Sequence, residues 1–295
     1  MDKYRVLVVG GGPAGLAFAT RLQRQGIGDV VVFERESETG GVPRHCGHWG
    51  FGWESHRSLT SGPHYAAWLR REAQRVDVRT RHTVLRQLGA NTALAQSPDR
   101  GLFEVSFDHI VYACGARETT RAARLLGGVR NPAVINTGTL QQLVYLKGMR
   151  PFRRPVIIGG EWLSFSALMT CKHMGIKPAA MLVEEATLDA PFFFAWGARL
   201  WYGVPVLLAT QLIGVVGKGS VTGMKVSQDG VERYLACDGA VLSGKLVPED
   251  AVLAASPSAI IAPTRLGNMQ GEIKTAGRCV VQARKQADIF ARSIS

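Results

Sequence analysis

Short runs of branched apolar residues alternate along this chain with segments whose apolar positions repeat every three or four residues. The first run, residues 6–9, predicts a buried strand. Pro13 opens a predicted helix over residues 14–25, Gly26 ends it, and a second strand is predicted over residues 29–33. This strand–helix–strand order favours an α/β fold with a parallel sheet.

The same alternation continues along the chain. Helices are predicted over residues 64–75, 191–202 and 275–291, and strands over residues 77–88, 93–96, 102–107, 109–113 and 204–208, with three short strands up to residue 243. A second strand–helix–strand unit is predicted from a strand at 155–158, a helix to His173 and a strand at 179–183. Segment 36–63 is too long for a plain connection, and such loops are usually functional.

Two strand–helix–strand units predict two Rossmann-like domains, the second inserted into the first. The first unit has too few strands before residue 120 to complete its own sheet, so a later part of the chain must return to it. The predicted nucleotide-binding domain is therefore discontinuous, with residues 1–120 and 245–295, and residues 121–244 form the inserted domain.

The glycines after the first strand have the spacing of a dinucleotide-binding turn. Gly10 allows the tight turn, Gly12 lets a pyrophosphate approach the backbone, and Gly15 lets the helix pack closely on the strand. The helix N-terminus offers free N–H groups and a positive dipole end to phosphates. Glu34, at the end of the second strand, can accept both hydroxyls of an adenosine ribose.

Composition limits the binding partners and the cellular compartment that we expect for this chain. The chain has 295 residues and a formal charge of +12, but its Lys and Arg residues form no nucleic-acid recognition module, so we expect no nucleic-acid partner. The basic residues are densest around the middle of the chain, which favours an acidic partner subunit, anionic substrates or a merely solvated surface. We expect no transmembrane segment and no export signal.

Five scattered cysteines, an odd number without a CxxC or CxxxxC pair, favour a reducing cytoplasm and no redox dithiol. Cys46 stands between His45 and His48, which suggests either a reactive thiol or metal ligand, or a packed loop that orients a cofactor or partner. We favour the packed loop and expect no metal. A redox dithiol needs two sulfurs and Cys46 is alone in its loop, and the sequence shows no third cluster of ligands for a metal. No residue is identified as a general base, and the catalytic residues stay unknown.

Several longer motifs resemble a known family. GGGPAG with Glu34, ETGGVPRHCGH (38–48), VYACGARE (111–118), TGTLQQLV (137–144) and GNMQGEIKTAG (267–277) are similar to flavoproteins of the pyridine nucleotide-disulfide oxidoreductase type. More narrowly, the chain resembles the FAD subunit of multi-subunit amino-acid and amine dehydrogenases, such as D-hydroxyproline dehydrogenase, dye-linked proline dehydrogenase, opine oxidase and hydrogen cyanide synthase.

The resemblance implies an FAD site. In this resemblance, the predicted helix that starts near Thr275 would direct its N-terminus at the flavin pyrimidine carbonyl. Asn268 stands where the family usually has an acidic residue that binds the flavin ribitol. The implied cofactor-binding residues are Gly10, Gly12, Pro13, Ala14, Gly15, Glu34, Arg35, Gly41, Val42, Arg44, His45, Val84, Cys114, Gly115, Gly267, Asn268 and Thr275.

The second glycine turn departs from the pattern, because Glu161 and Ser164 replace its second and third glycines. A carboxylate at the position that a pyrophosphate must approach makes NAD(P) binding doubtful. It favours a second domain that has kept the fold but no longer binds the nucleotide. The leading hypothesis is an electron-transferring FAD subunit whose partners are an FAD-dependent amine or amino-acid dehydrogenase subunit and a small [2Fe–2S] protein. The alternatives are a free-standing NAD(P)H-dependent flavin oxidoreductase and a non-catalytic nucleotide-binding subunit.

Overall fold

The computed structural model describes residues 2–188, 200, 202–257 and 263–294. They form two compact units. Unit 1 contains residues 1–44, 49–117 and 247–295, and unit 2 contains residues 45–48 and 118–246. Among the described residues, no helix has both the length and the apolar character needed to cross a bilayer.

The strands, in chain order, are β1 Asp2–Val9, β2 Val30–Glu34, β3 Trp49–Phe51, β4 Thr60–Ser61, β5 Asp77–Thr80, β6 Thr83–Gln87, β7 Thr92–Ser97, β8 Gly101–Tyr112, β9 Ala116–Glu118, β10 Gly127–Gly128, β11 Val134–Asn136, β12 Val156–Ile158, β13 Ala180–Leu182, β14 Val206–Leu207, β15 Thr210–Lys218, β16 Ser220–Gln228, β17 Val231–Ala236, β18 Ala240–Leu242, β19 Leu246–Pro248 and β20 Thr264–Arg265.

The described helices are α1 Pro13–Arg24, α2 Trp53–His56, α3 Gly62–Glu72, α4 Thr137–Gln141, α5 Trp162–His173, α6 Ala251–Ala254 and α7 Ala276–Ile294. Short helical turns cover Val42–His45 and Gly267–Gln270, and a π-helical turn, Gln142–Leu146, continues α4.

Unit 1 is built on one mixed sheet with the order β5-β2-β1-β8-β7-β6, and β20 pairs with β8. Strands β5, β2, β1 and β8 are parallel, whereas β7 is antiparallel to both β8 and β6. The carboxyl ends of β1 and β8 lie side by side, with Val9 paired to Tyr112. This places the glycine turn after β1 beside the turn after β8.

Both faces of the central strands of unit 1 are buried, which explains their continuous apolar runs. Val6 and Val8 pack with α1 and α7 on one face, while Leu7 and Val9 pack with β6–β8 on the other. Phe18 of α1 is fully buried against the sheet and contacts Phe290 edge-on at 5.4 Å between ring centroids.

Unit 2 contains a fully parallel sheet with the order β11-β18-β12-β13-β14. One face, including Ile157 and Met181, packs on α4 and α5, and the other, including Ile158 and Leu182, packs on the antiparallel ribbon β15–β17. The glycine turn after β12 lies at the carboxyl edge of this sheet, where parallel α/β folds bind nucleotides.

The structure confirms the predicted fold class and most predicted elements. Two strand predictions are wrong. The strand over residues 77–88 is two strands, because Arg81 adopts φ +56° between β5 and β6. The strands over 102–107 and 109–113 are one continuous strand, β8. The predicted helix over residues 191–202 lies outside the described residues, apart from Leu200 and Tyr202.

Candidate functional site

The first glycine turn of unit 1 has the geometry that its spacing predicts. Gly10 adopts φ +110°, its N–H donates to the Phe33 carbonyl at 2.8 Å, and a Cβ there would lie 2.6 Å from the Ala113 carbonyl oxygen. A Cβ on Gly15 would overlap the Gly10 carbonyl oxygen. These two positions therefore require glycine for the turn and for the approach of α1 to β1.

Gly12 differs from the other two glycines because its missing side chain leaves open space. A Cβ on Gly12 would meet only the Cα of Gly41, at 3.9 Å. Gly12 is also the N-cap of α1, and no side chain caps this helix end. The turn thus leaves bare backbone at the start of α1, where the first N–H groups of a helix have no intrahelical partners, and this suits a pyrophosphate.

Glu34 is buried at the end of β2, with 7% of its surface exposed. Its Oε2 accepts the Gly11 N–H at 2.8 Å, and its Oε1 accepts the Glu36 N–H at 2.8 Å. A carboxylate offers about four lone-pair sites, so both oxygens keep capacity for ribose hydroxyls. The side chain therefore fixes the turn and remains a suitable ribose ligand.

Two distant segments meet the glycine turn. A Cβ on Gly41 would lie 3.1 Å from the Gly12 Cα, and a Cβ on Gly267 would lie 3.0 Å from the Ala14 Cβ. Both glycines have positive φ, +60° and +58°. The structure therefore brings three parts of the sequence together around the start of α1, where Pro13 is the first helical residue.

The Asn268 side chain closes its own loop. Its Oδ1 accepts the Lys274 N–H at 2.8 Å, its Nδ2 donates to the Lys274 carbonyl at 3.2 Å, and the Cys279 thiol donates to Oδ1 at 3.3 Å. The side chain thus shapes the turn that precedes α7. This is a structural role that the sequence did not indicate.

The sequence also gave no indication of Glu54, which lies against the N-terminus of α7. Its carboxylate accepts hydrogen bonds from the Thr275 hydroxyl and from Nε of Arg278, the latter at 2.9 Å. A Cβ on Gly277 would lie 2.8 Å from Glu54 Oε2. A carboxylate here offsets the positive end of the α7 dipole, so this helix end is less electropositive than its sequence alone predicts.

The remaining predicted residues lie on several elements. Arg35 and Val42 are exposed, Arg44 donates to the Glu38 carbonyl, and Val84 is buried at a bulge of β6. Cys114 and Gly115 follow β8, with the Cys114 N–H directed at the Met269 sulfur at 3.1 Å. Gly115 adopts φ +79° and has no neighbour within 4 Å of a Cβ position. His45 belongs to unit 2.

The second glycine turn, in unit 2, is filled by protein groups. Glu161 Oε1 accepts the Lys245 N–H at 2.6 Å, and a Cβ on Gly244 would lie about 2.5 Å from the Glu161 carboxyl carbon. The Lys245 ammonium binds Glu184 Oε2 at 2.6 Å, at the end of the second strand of the unit. Lys245 thus bridges the phosphate and ribose positions of a dinucleotide site.

Arg124 reinforces this closure from the side. Its guanidinium donates to the carbonyls of Ser243 and Gly244 at 3.0 and 2.7 Å. Partial burial lowers the pKa of Arg124, and the nearby carboxylates of Glu118, Glu184 and Glu161 oppose this shift. The residues of this turn do not fit a pyrophosphate, because Glu161 replaces the second glycine and brings a negative charge to the position that the anion must approach.

Unit 2 also contains a buried polar cluster that was not predicted from the sequence. The Cys46 thiol donates to Gln141 Oε1 at 3.3 Å, and Gln141 Nε2 donates to Ser166 Oγ at 2.8 Å. Glu118 Oε2 accepts the Gly138 N–H at 2.8 Å, while its Oε1 has no hydrogen-bond partner among the described residues. Burial raises the pKa of Glu118.

All five cysteines are free thiols. Burial is the main cause that raises each thiol pKa, to about 12 for Cys46 and Cys171 and about 11 for Cys114, Cys237 and Cys279. Since the thiolate is the reactive form, these side chains are poor nucleophiles at neutral pH. Among the described residues, no group of three or more His, Cys, Asp or Glu side chains could hold a metal ion.

Comparisons with known proteins agree with this fold. The model of the pyridine nucleotide-disulphide oxidoreductase family matches residues 4–193, which is more than half of the chain. The chain belongs to this family, and family membership implies FAD as cofactor. A comparison with curated proteins gives no match.

Several solved structures share the fold. Thioredoxin reductase from T. acidophilum has 17% identity and a TM-score of 0.79, and the alignment covers all of both chains. Bacillithiol disulfide reductase from Bacillus cereus has 16% identity and a TM-score of 0.77, covering 99% of this chain and 100% of that one. L-proline dehydrogenase from P. horikoshii has 15% identity and a TM-score of 0.73, covering 99% of this chain but 56% of that one.

Proposed function

We propose that this chain is an FAD-binding, electron-transferring subunit of a multi-subunit amino-acid or amine dehydrogenase. A partner flavoprotein subunit oxidises the substrate, and a small [2Fe–2S] protein completes the electron path. The bound FAD would supply the redox chemistry, while the protein binds and orients it. Gly10, Gly12, Gly15 and Glu34 would hold its pyrophosphate and ribose.

The observation that carries this proposal is the contrast between the two glycine turns. The first turn leaves open backbone at Gly12 and a buried carboxylate, Glu34, that can accept ribose hydroxyls. The second is filled by Glu161 and Lys245. A chain that holds FAD but cannot accept NAD(P)H needs another electron donor, and a partner subunit is such a donor.

The cysteines support the same conclusion. A disulfide reductase of this family type needs two sulfurs to exchange electrons with a disulfide. Here Cys46 stands in its loop as a protonated, buried thiol that is hydrogen-bonded to Gln141. One protein of similar fold is an L-proline dehydrogenase, which is also consistent with amino-acid oxidation.

Family membership favours the rival function, a free-standing NAD(P)H-dependent flavin oxidoreductase. It requires nicotinamide nucleotide to displace Glu161 from the Lys245 N–H. A non-catalytic role for the nucleotide is the other alternative, in which FAD or only an adenine nucleotide such as ATP stabilises the fold.

The test is an absorption spectrum of the purified chain followed by anaerobic titration. We expect flavin bands that dithionite bleaches and that NADH and NADPH leave unchanged. Bleaching by either nucleotide would establish the rival oxidoreductase. A stable monomer that oxidises substrate by itself would contradict the subunit role, and a colourless protein that takes up no FAD would favour the non-catalytic role.

A further inference from the structure

A basic groove lies at the amino edge of the parallel sheet of unit 2. It has a volume of about 670 Å³, and its lining includes Arg150, Arg153, Arg154, Lys177, Pro178 and Pro205. These residues come from the segments that lead into β12, β13 and β14. Since the three strands are parallel, the groove is at the opposite edge of the sheet from the filled glycine turn.

The backbone of the groove is rigidly hydrogen-bonded. The Asp238 carboxylate accepts the N–H groups of Arg153 and Arg154 at 2.7 and 2.8 Å. The Lys177 N–H donates to the Arg153 carbonyl at 3.0 Å, and the Ala179 N–H donates to the Pro155 carbonyl at 2.7 Å. The fold therefore holds the cationic residues close together on a fixed frame.

The positive charge of the groove is largely uncompensated. The four cationic side chains are exposed, and one carboxylate, Asp238, lies behind the backbone of Arg153 and Arg154. Arg150 donates to the Gly175 carbonyl at 2.9 Å. In the part of the chain that the structure describes, Arg153, Arg154 and Lys177 form no ion pair. Like charges held together repel one another, and an anionic partner relieves this repulsion.

The groove lacks the features of a small-anion site. Phosphate sites use free backbone N–H groups, but those of Arg153, Arg154, Lys177 and Ala179 are already bonded within the fold. No aromatic side chain lines the groove among the described residues, so it offers no surface on which a nucleobase could stack. Long, exposed cations around an open depression suit carboxylate side chains spread over a protein surface.

We propose that this basic groove docks an acidic segment, rich in Asp and Glu, of a partner subunit. The proposal rests on the proposed function, since it identifies the surface by which the electron-transferring subunit joins its complex. It does not involve the FAD site of unit 1.

The experiment measures the anisotropy of a fluorescein-labelled hexaglutamate peptide with the full chain at low salt. The test variant is Arg153→Glu/Arg154→Glu/Lys177→Glu. The matched control, Arg86→Glu/Lys218→Glu/Arg233→Glu, makes the same change in net charge at exposed positions outside the groove. We expect the test variant to lose affinity by about tenfold or more and the control by about twofold or less.

Equal losses in the two variants would overturn the proposal, because the peptide would then respond only to the overall charge. Displacement of the peptide by inorganic tripolyphosphate at lower concentration than by unlabelled hexaglutamate would also overturn it in favour of a small-anion site. If charge reversal unfolds unit 2, the Arg153→Gln/Arg154→Gln/Lys177→Gln variant applies the same test without new acidic groups.

The two proposals fail separately. A colourless chain that takes up no added FAD but binds the peptide through the groove would contradict the FAD function and leave the groove proposal standing. If the chain carries flavin but the three substitutions leave its peptide affinity unchanged, only the groove proposal is contradicted.

Discussion

The substitution Glu161→Gly is expected to open the second glycine turn to NADH. Glu161 is the N-cap of α5 and has an extended backbone, with φ −83° and ψ 167°, so glycine fits there without strain. The change removes the carboxylate that accepts the Lys245 N–H and restores the second glycine of the fingerprint. Glycine is an acceptable N-cap, so the helix itself loses little stability.

The magnitude follows from the charge that is removed. Two unit charges about 4 Å apart repel by about 4 kcal/mol at an effective dielectric constant of about 20. Glu161 is half-buried, so solvent screening reduces this to about 2 kcal/mol, or roughly 30-fold in affinity. The lost hydrogen bond to a charged acceptor costs about 1.5–3 kcal/mol of folding stability.

The assay is a titration of NADH fluorescence with the wild-type chain and the variant, beside a thermal melt. We expect binding about 30-fold tighter in Glu161→Gly and a lower Tm. The matched control, Glu161→Gln, removes the charge but keeps the bulk, so its affinity lies between the two. Equal NADH affinity in the wild type and Glu161→Gly would refute the view that the carboxylate closes the site.

Three further changes test the rest of the structure. Gly12→Val fills the open space at Gly12 and is expected to abolish FAD uptake, measured as the ratio of flavin to protein absorbance. The control Gly28→Ala, with no neighbour within 4 Å of its Cβ position, is expected to leave FAD uptake unchanged. Phe18→Ala leaves a core cavity and is expected to cost about 3–5 kcal/mol in urea unfolding, against less than about 0.5 for exposed Leu102→Ala. Burial raises the pKa of Glu118 in the folded protein. The protonated carboxyl therefore stabilises the folded state below the pKa of the unfolded chain, and this contribution is lost as pH rises through the folded pKa. The Tm of Glu118→Gln relative to that of the wild type should accordingly rise between about pH 4.5 and about pH 8.

The sequence predicts those features that are local in the chain. The first glycine turn and its flanking elements follow from spacing and apolar runs, because each involves neighbouring residues. The strand over residues 77–88 was predicted wrongly because no Gly, Pro or Asn marks the turn at Arg81, which takes its positive φ without a sequence signal.

Long-range contacts escape such reasoning. Glu54 binds Thr275 across 221 positions, and Lys245 reaches Glu184 across 61. No local pattern encodes these pairs, since each depends on how the sheet brings separate loops together. For the same reason the sequence revealed that Glu161 replaces a glycine, but not that Lys245 holds its carboxylate in place.

The packing of α1 on α7 has a consequence for the chain while it is being made. Arg21 of α1 binds Asp288 of α7 at 2.6 Å across 267 positions. A ribosome that adds about 5–20 residues per second takes roughly 13–50 s to cover that interval. Residues 118–246 of unit 2 emerge before α7. The apolar face of α1 that packs on α7 therefore stays uncovered until α7 is translated. Completion of unit 1 is thus a late event, and the nascent chain must keep α1 from other hydrophobic surfaces until then.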